Sequence, residues 1–434
     1  MRIVGLVVEY NPLHNGHVHH FQEAKRLTGA EAVIAVMSGP FLQRGEPAIA
    51  SKWARAEMAL HMGADVVIEL PVAFSAQPAE WFAYGAVSAL EATGLTDAIV
   101  FGSESGVIHR FQELAERLYE EPVEFRDLLR AQLVRGIGYP AAYAAATAAF
   151  VGGSTDEGLL VQPNDILGLH YCLALRRIGS RMVPLTIART GAGYHEREAA
   201  GGALASATAI RRLLMGGVNS LAAAGAAAEL AAGLAAARPF IPAYTHDILQ
   251  REWAAGRGPI DWERFAAPLL HVLLTRSPQD LVKICEVTEG LEHRIKGALP
   301  TLDYEEGNLV QQLLDAIKTK RYTSAKLQRT LLRILLDHSK ADLSREVLSK
   351  GVPYLRILGF STRGRQLLKQ MKSTASVPIV IKATKETSPL LTLDLRAAAI
   401  YALSGPVPES RELFRDYYQA PLQSENYNRA GQND

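Results

Sequence analysis

The order of the first elements limits the fold more than any other feature. Ile3 to Val8 is an uncharged, mostly apolar run of strand length, as a strand buried on both faces requires. Asn11-Pro12 breaks it, Asn15-Gly16 signals a sharp turn, and a helical pattern follows from about His17 to Leu27. A buried strand that feeds a helix through a tight loop is the opening unit of a parallel sheet with helical crossovers.

The unit recurs. Ala32–Met37, Val66–Leu70, Ala98–Phe101 and Met182–Ala188 read as further strands, with helices over about Ser51–Met62 and Ala79–Thr93. Residues 109 to 150 read as inserted helices. The expected fold class is therefore α/β, a doubly wound parallel sheet over residues 1–215. Ligands of such sheets bind beyond the carboxyl ends of the strands. His14 follows the first strand and Gly102 the fourth, so both belong to that edge. Beyond about Pro242 the pattern is almost wholly helical, so a mainly helical region is expected over 216–420, followed by a polar, disordered tail over 421–434. The Ala-rich stretch Leu221 to Arg238 reads as helix or linker between the two.

The first loop carries chemistry. The start of a helix has unpaired N–H groups and a partial positive charge, which attract phosphate. Gly16 has no side chain to keep a ligand away. His14 and His17, three residues apart, can project to one side of the helix start and stabilise charge growing on a phosphoryl group. His20 extends the cluster, whereas His19 is expected at the surface. Ser206-x-Thr208-x-x-Arg211 is a second phosphate-type pattern, two hydroxyls and a guanidinium at a helix start, although Ser206 as a simple N-cap fits equally well. Arg189 ends the fifth strand on the binding edge. Asn164, after Pro163, is a turn residue or a contact for a base or ribose. Lys52 and Arg55 are a possible triphosphate clamp or a solvated helix face. His195 lies in a glycine-bearing loop, where it could shape a substrate pocket.

Composition narrows the class. No span of about 20 apolar residues crosses a membrane, and the opening strand leaves no room for a signal peptide, which together point to the cytoplasm. Cys172 and Cys285 are the only two cysteines and lie far apart, so neither a disulfide nor a zinc site is expected, and no protein metal site of any kind. The net charge of +1 hides an asymmetry. Gln311 to Lys385 holds sixteen Lys/Arg against four Asp/Glu, net +12, and the remainder is net −11. The late segment is thus expected to face a polyanion. Within it Ser324 to His338 reads as an amphipathic helix with Lys326, Arg329 and Arg333 on one face, and Ser361 to Arg365 as a flexible basic loop that includes Arg363. Tyr322 and Tyr354 are candidate stacking groups for single-stranded bases.

The stretch Gly5 to His17 resembles the His-x-Gly-His signature of the nucleotidyltransferase superfamily. Its closer resemblance is to the bacterial tRNA(Met) cytidine acetate ligase family, and Arg321-Tyr322-Thr323 and Arg356-Ile357-Leu358-Gly359-Phe360 share in it. That resemblance implies a ligase using ATP, with Mg²⁺ carried by the nucleotide, acetate and elongator tRNA(Met). Acetate would become acetyl-adenylate, and N4 of the wobble cytidine would take the acetyl group, with no membrane and no obligate protein partner. It implies His14 and His17 as the catalytic pair. ATP contacts would run along Val7, Val8, Glu9, Tyr10, Asn11, Pro12, Leu13, His14, Asn15, Gly16, His17, Val18, His19 and His20, and include Gly102, Asn164 and Arg189. Ser206, Thr208 and Arg211 would add phosphate contacts. Arg321, Lys326, Arg329, Arg333, Arg363 and Arg365 would face the tRNA. The alternative is a small-molecule adenylyltransferase acting on a nucleotide or a pantetheine-phosphate-like acceptor.

Overall fold

The computed structural model describes residues 1–152, 162–189, 205–216, 226–383, 388–405 and 409–425. His195 and most of the tail lie outside them. An eight-stranded sheet organises the chain in the order β5-β4-β1-β2-β3-β6-β7, with β8 beside β6. The strands are β1 Ile3–Val8, β2 Ala32–Ser38, β3 Val66–Leu70, β4 Ala98–Ser103, β5 Val183–Ala188, β6 Leu355–Phe360, β7 Ile379–Val380 and β8 Leu422–Gln423. β1 to β5 run parallel, as the crossover helices dictate. β1 lies between β2 and β4, where the strand order reverses. That crevice is where such a sheet binds ligands.

Both faces are covered, so the central strands are mostly apolar, with the buried Glu69 of β3 paired with Lys52. Along β2, Ala32, Ile34 and Val36 enter one core with Phe82, Ala83 and Ala86 of the helix Ala79–Ala92. Val33, Ala35 and Met37 enter the other, with Phe21 of helix α1 (Asn15–Thr28) and Trp53 and Met58 of helix α2 (Lys52–Met62). Each of the larger of these side chains, such as Ile34, Val36 and Met37, stabilises the fold by about 1.5–3 kcal/mol when fully buried. The Ala-rich stretch is packed helix rather than linker over Ala226–Ala237, with Leu234 and Ala237 in the second core.

The later part of the chain departs from the expectation of helix throughout. Leu355–Phe360 is a buried strand, antiparallel to β3, with a bulge between Val67 and Ile68. β7 and β8 add to it, so segments from beyond residue 216 complete the sheet of the first region. The tail expected to be disordered likewise opens as the ordered strand β8. Ser361 to Arg365 is no flexible loop. Ser361 caps the helix Thr362–Thr374 by accepting from the Gly364 N–H at 3.0 Å. A Cβ on Gly364 would stand 1.8 Å from the Asp65 carbonyl oxygen. Gly364→Ala must therefore push this helix off the start of β3. The expected cost is about 1–3 kcal/mol, the usual range for overpacking, read as a lower midpoint of urea unfolding at unchanged slope.

Candidate active site

His14 is the N-cap of α1, and the cap is made of two imidazoles. His14 Nδ1 accepts from the Gly16 N–H at 3.0 Å, and His17 Nδ1 accepts from the His14 N–H at 3.3 Å. This is a reciprocal capping box with imidazoles in place of hydroxyl and carboxylate. The rings lie 3.9 Å apart, centroid to centroid, and Tyr10 meets His17 edge-on at 5.1 Å. A nitrogen that accepts a backbone N–H carries no proton, so each neutral ring holds its proton on Nε2. The cap thereby fixes the tautomer and leaves two Nε2–H donors at a helix start.

The glycines have a role the sequence did not show. A Cβ on Gly16 would lie 2.8 Å from His14 Cε1, so the missing side chain makes room for the histidine ring itself. On Gly102 it would lie 3.1 Å from Cγ of Arg189, so this glycine lets Arg189 lie across the end of β4. Arg189 is exposed at the end of β5, where its N–H donates to the Ser103 carbonyl at 2.7 Å.

Burial, then the charges of Arg189 and Arg211, push His14 down to about 4. Burial also holds His17 well below its ordinary value and His20 down to about 4, with Arg189 adding to both. The depressed proton affinities keep all three rings neutral at pH 7. With Mg²⁺-bound ATP as the varied substrate, and after correction for ionisation of ATP and acetate themselves, log kcat/KM should therefore show no histidine inflection near pH 6.5, the rings entering only as pH approaches about 4. A pH series of the initial rate checks this.

The rest of the edge is held by internal ties. Glu9, raised by burial, accepts the Gln43 N–H at 2.8 Å. Asn11 accepts the Ile49 N–H at 2.7 Å through its side chain, and its carbonyl accepts from Arg211 at 3.1 Å. Arg211 also reaches Thr208 Oγ1 at 3.3 Å and Glu46 at 3.6 Å. Ser206 is an N-cap, accepting from Ala209 N–H at 3.2 Å. Asn164 donates to Glu104 at 2.6 Å, and Asp165 N–H donates to the same carboxylate at 3.0 Å, which ties the helix Pro163–Ile178 to the loop after β4. Glu9 was expected among the ATP contacts and is also a tie between loops, whereas Gln43 and Glu104 were not singled out in the sequence. His19 is half-buried rather than fully exposed.

Several basic residues are not where charge patterning put them. Arg55 is fully buried and donates to the carbonyls of Glu9, Ser38, Gly39 and Ala50, which makes it a staple between the loops after β1 and β2. Lys52 is buried between Glu69 and Asp416. Neither is a clamp or a solvated face. Arg333 is fully buried against the carbonyls of Val72 and Ala76, and so is withdrawn from any polyanion. Arg329 is buried with Glu286 at 2.8 Å, and Lys326 donates to the Glu286 carbonyl at 3.1 Å. Tyr354 is buried on Asp394 and cannot stack on a base. Arg321 is exposed and paired with Glu289. Arg363 donates to the Glu31 carbonyl, just before β2, and Arg365 reaches Glu425 at 3.7 Å. Arg363 thus sits at the amino ends of the parallel strands, across the sheet from the histidines.

Among the described residues no cluster of three or more His, Cys, Asp or Glu is placed to hold a metal, and no helix is long and apolar enough to cross a membrane. A neutral imidazole pair capping the first helix of a parallel sheet defines a nucleotidyltransferase of the His-x-Gly-His class. The HIGH nucleotidyl transferase family model matches residues 1–415. The tRNA(Met) cytidine acetate ligase of Acetivibrio thermocellus is 39% identical over 428 residues, 96% of this chain and 99% of that protein. The protein of that name from Bacillus subtilis is 39% identical over 430 residues, 97% of each. The Thermotoga maritima TmcAL structure bound with alpha-thio ATP superposes with a TM-score of 0.84 at 35% identity, over 98% of this chain and 99% of that one. The chain belongs to the tRNA(Met) cytidine acetate ligase family.

Proposed function

We propose that this chain activates acetate with ATP and transfers the acetyl group to N4 of the wobble cytidine of elongator tRNA(Met). The carboxylate of acetate attacks the α-phosphorus, and the bond to pyrophosphate breaks. The cytidine amine then attacks the acetyl carbonyl of acetyl-adenylate, AMP leaves, and the amine loses a proton to solvent. Magnesium enters as the nucleotide's own ion. The observation that carries this reading is the imidazole capping box, which leaves the Nε2–H groups of His14 and His17 as donors where charge grows on the α-phosphoryl oxygens. Arg189, Arg211 and the helix start add positive potential for the other phosphates. Exposed Lys318, Lys320 and Arg321, just ahead of the helix Ser324–Leu335, supply a sequence-independent hold on RNA phosphates. ATP and tRNA(Met) place the work in the cytoplasm.

Purified protein given ATP, Mg²⁺, labelled acetate and unmodified bacterial tRNA tests the reading. The expected result is label in N4-acetylcytidine with stoichiometric AMP. Pyrophosphate release driven by a small-molecule acceptor, with no label in RNA, would overturn it in favour of an adenylyltransferase.

A further inference from the structure

The loop that leaves the carboxyl end of β2 has a tip that nothing above explains. Phe41 and Pro47 form an antiparallel bridge. Inside it Leu42 N–H donates to the Glu46 carbonyl at 2.9 Å and Gly45 N–H to the Leu42 carbonyl at 2.8 Å. Gly45 closes the turn at φ +84°, the left-handed residue of a hairpin turn with a glycine bulge. The turn is also clamped from outside on two sides. Gln43 N–H is held by Glu9, within the site. Gly45 presses on the helix Ser324–Leu335, where a Cβ would lie 2.5 Å from the Arg329 backbone nitrogen. Of residues 41–48 only Arg44, at the apex, is exposed. It has no hydrogen bond or ion pair with any described residue.

We propose that Arg44 is a positioning residue that holds a backbone phosphate of the RNA substrate next to the reacting cytidine. This rests on the function proposed above. A guanidinium on a turn already fixed loses little freedom on binding, and its fork takes two phosphate oxygens. Contacts of this kind set the register of a nucleic acid without reading its sequence. The phosphates of ATP are the other source of the same chemistry. RNA is favoured because the turn is built onto the helix that follows Lys318, Lys320 and Arg321.

The test separates the half-reactions in Arg44→Ala and Arg44→Lys. Acetate-dependent ATP–pyrophosphate exchange without RNA should stay within twofold of the parent, and the thermal midpoint should not move. KM for tRNA should rise about ten- to hundredfold in Arg44→Ala, the loss of one charge-assisted contact, and its salt dependence should flatten by about one phosphate. Arg44→Lys should recover part of the loss. Exchange that falls together with transfer assigns Arg44 to ATP and overturns the proposal, as does an unchanged KM for tRNA. A parent chain that exchanges pyrophosphate but acetylates no tRNA overturns the proposed function itself, and the role of Arg44 with it.

Discussion

His17→Ala should lower acetate-dependent ATP–pyrophosphate exchange by about 10²–10³-fold, the usual loss when one preorganised donor to a developing anion is removed. The same change removes the acceptor for the His14 N–H, so a cap is lost too, at about 1 kcal/mol of stability. The two effects can be told apart. Gln at the third helical position can complete a capping box, so His17→Gln should restore the unfolding midpoint. It should restore exchange only weakly, because an amide on a longer, freer stem does not place its N–H where the imidazole Nε2–H stands. If His17→Gln recovers stability and activity in step, the imidazole is a cap and nothing more. If His17→Ala exchanges within threefold of the parent, charge stabilisation belongs to the helix start and Arg189 alone. His14→Ala should behave likewise, with a larger share lost as stability, since the ring that fills the space over Gly16 goes with it.

The neutral state of these rings explains why two histidines suit the task. A protonated imidazole would bind phosphate more tightly in the ground state. It would also surrender the Nδ1 acceptor that holds the cap, because both nitrogens would then be donors. Burial and the nearby guanidinium groups remove that option, and so the cap and the chemistry depend on the same protonation state. Arg189 therefore has two effects on the site. In the proposed reaction it would attract the nucleotide, and before the nucleotide arrives it adds to burial in keeping the pair neutral.

The apolar runs made most of the sheet legible. β1 and β3 have the bounds the sequence suggested, and β2, β4 and β5 differ only at their ends, because the buried strands are mostly Val, Ile, Leu and Ala and the half-exposed β5 still carries Val183, Leu185 and Ile187. β6 was missed because its six residues include an arginine and sit among helices. Arg356 is tolerated there only because Asp416, distant in sequence, neutralises it at 3.2 Å. Arg55 and Arg333 misled for the same reason. Helical periodicity assigns a charged residue to solvent, yet these two are received by carbonyls of other elements, the end of β2 for Arg55 and the short helix after β3 for Arg333. The net +12 of the late segment is correspondingly overstated as surface charge, since Arg329, Arg333 and Arg356 are buried. The candidate site was proposed from its motif, and the structure brings His14 and His17 together at the start of α1. What the motif could not give was the direction of each ring, which depends on backbone N–H groups that only the folded turn brings within reach.

Lys52→Met should be the most damaging substitution away from the histidines. Lys52 Nζ stands 2.8 Å from both Glu69 Oε2 and Asp416 Oδ1, and all three side chains are buried. Losing the cation leaves Glu69 and Asp416 with Arg356 alone between them, so one buried carboxylate is uncompensated, which costs about 3–5 kcal/mol. The pH dependence follows from the shifts. Burial alone would push Lys52 down, but Asp416 and Glu69 hold it above its ordinary value, so its contribution is complete at neutral pH and fades only in strong alkali. Burial would push Asp416 up, but Lys52 and Arg356 hold it below, so its contribution is present above about pH 4 and fades as acid protonates it. Burial raises Glu69 even against Lys52, so Glu69 is the carboxylate that takes a proton when the cation is gone. The deficit of Lys52→Met should therefore be largest near pH 8 and shrink toward pH 5. Glu69→Gln in the same chain should recover part of it at pH 8. Urea unfolding of the single and double variants at both pH values measures each quantity. A deficit below about 1 kcal/mol, or one independent of pH, would mean that water reaches this cluster. The damage should be confined to anchoring, because Asp416 pins the last part of the chain to the sheet and the histidines lie on another turn. Exchange activity per folded molecule should accordingly stay near that of the parent, whereas His17→Ala loses activity in a chain that remains folded.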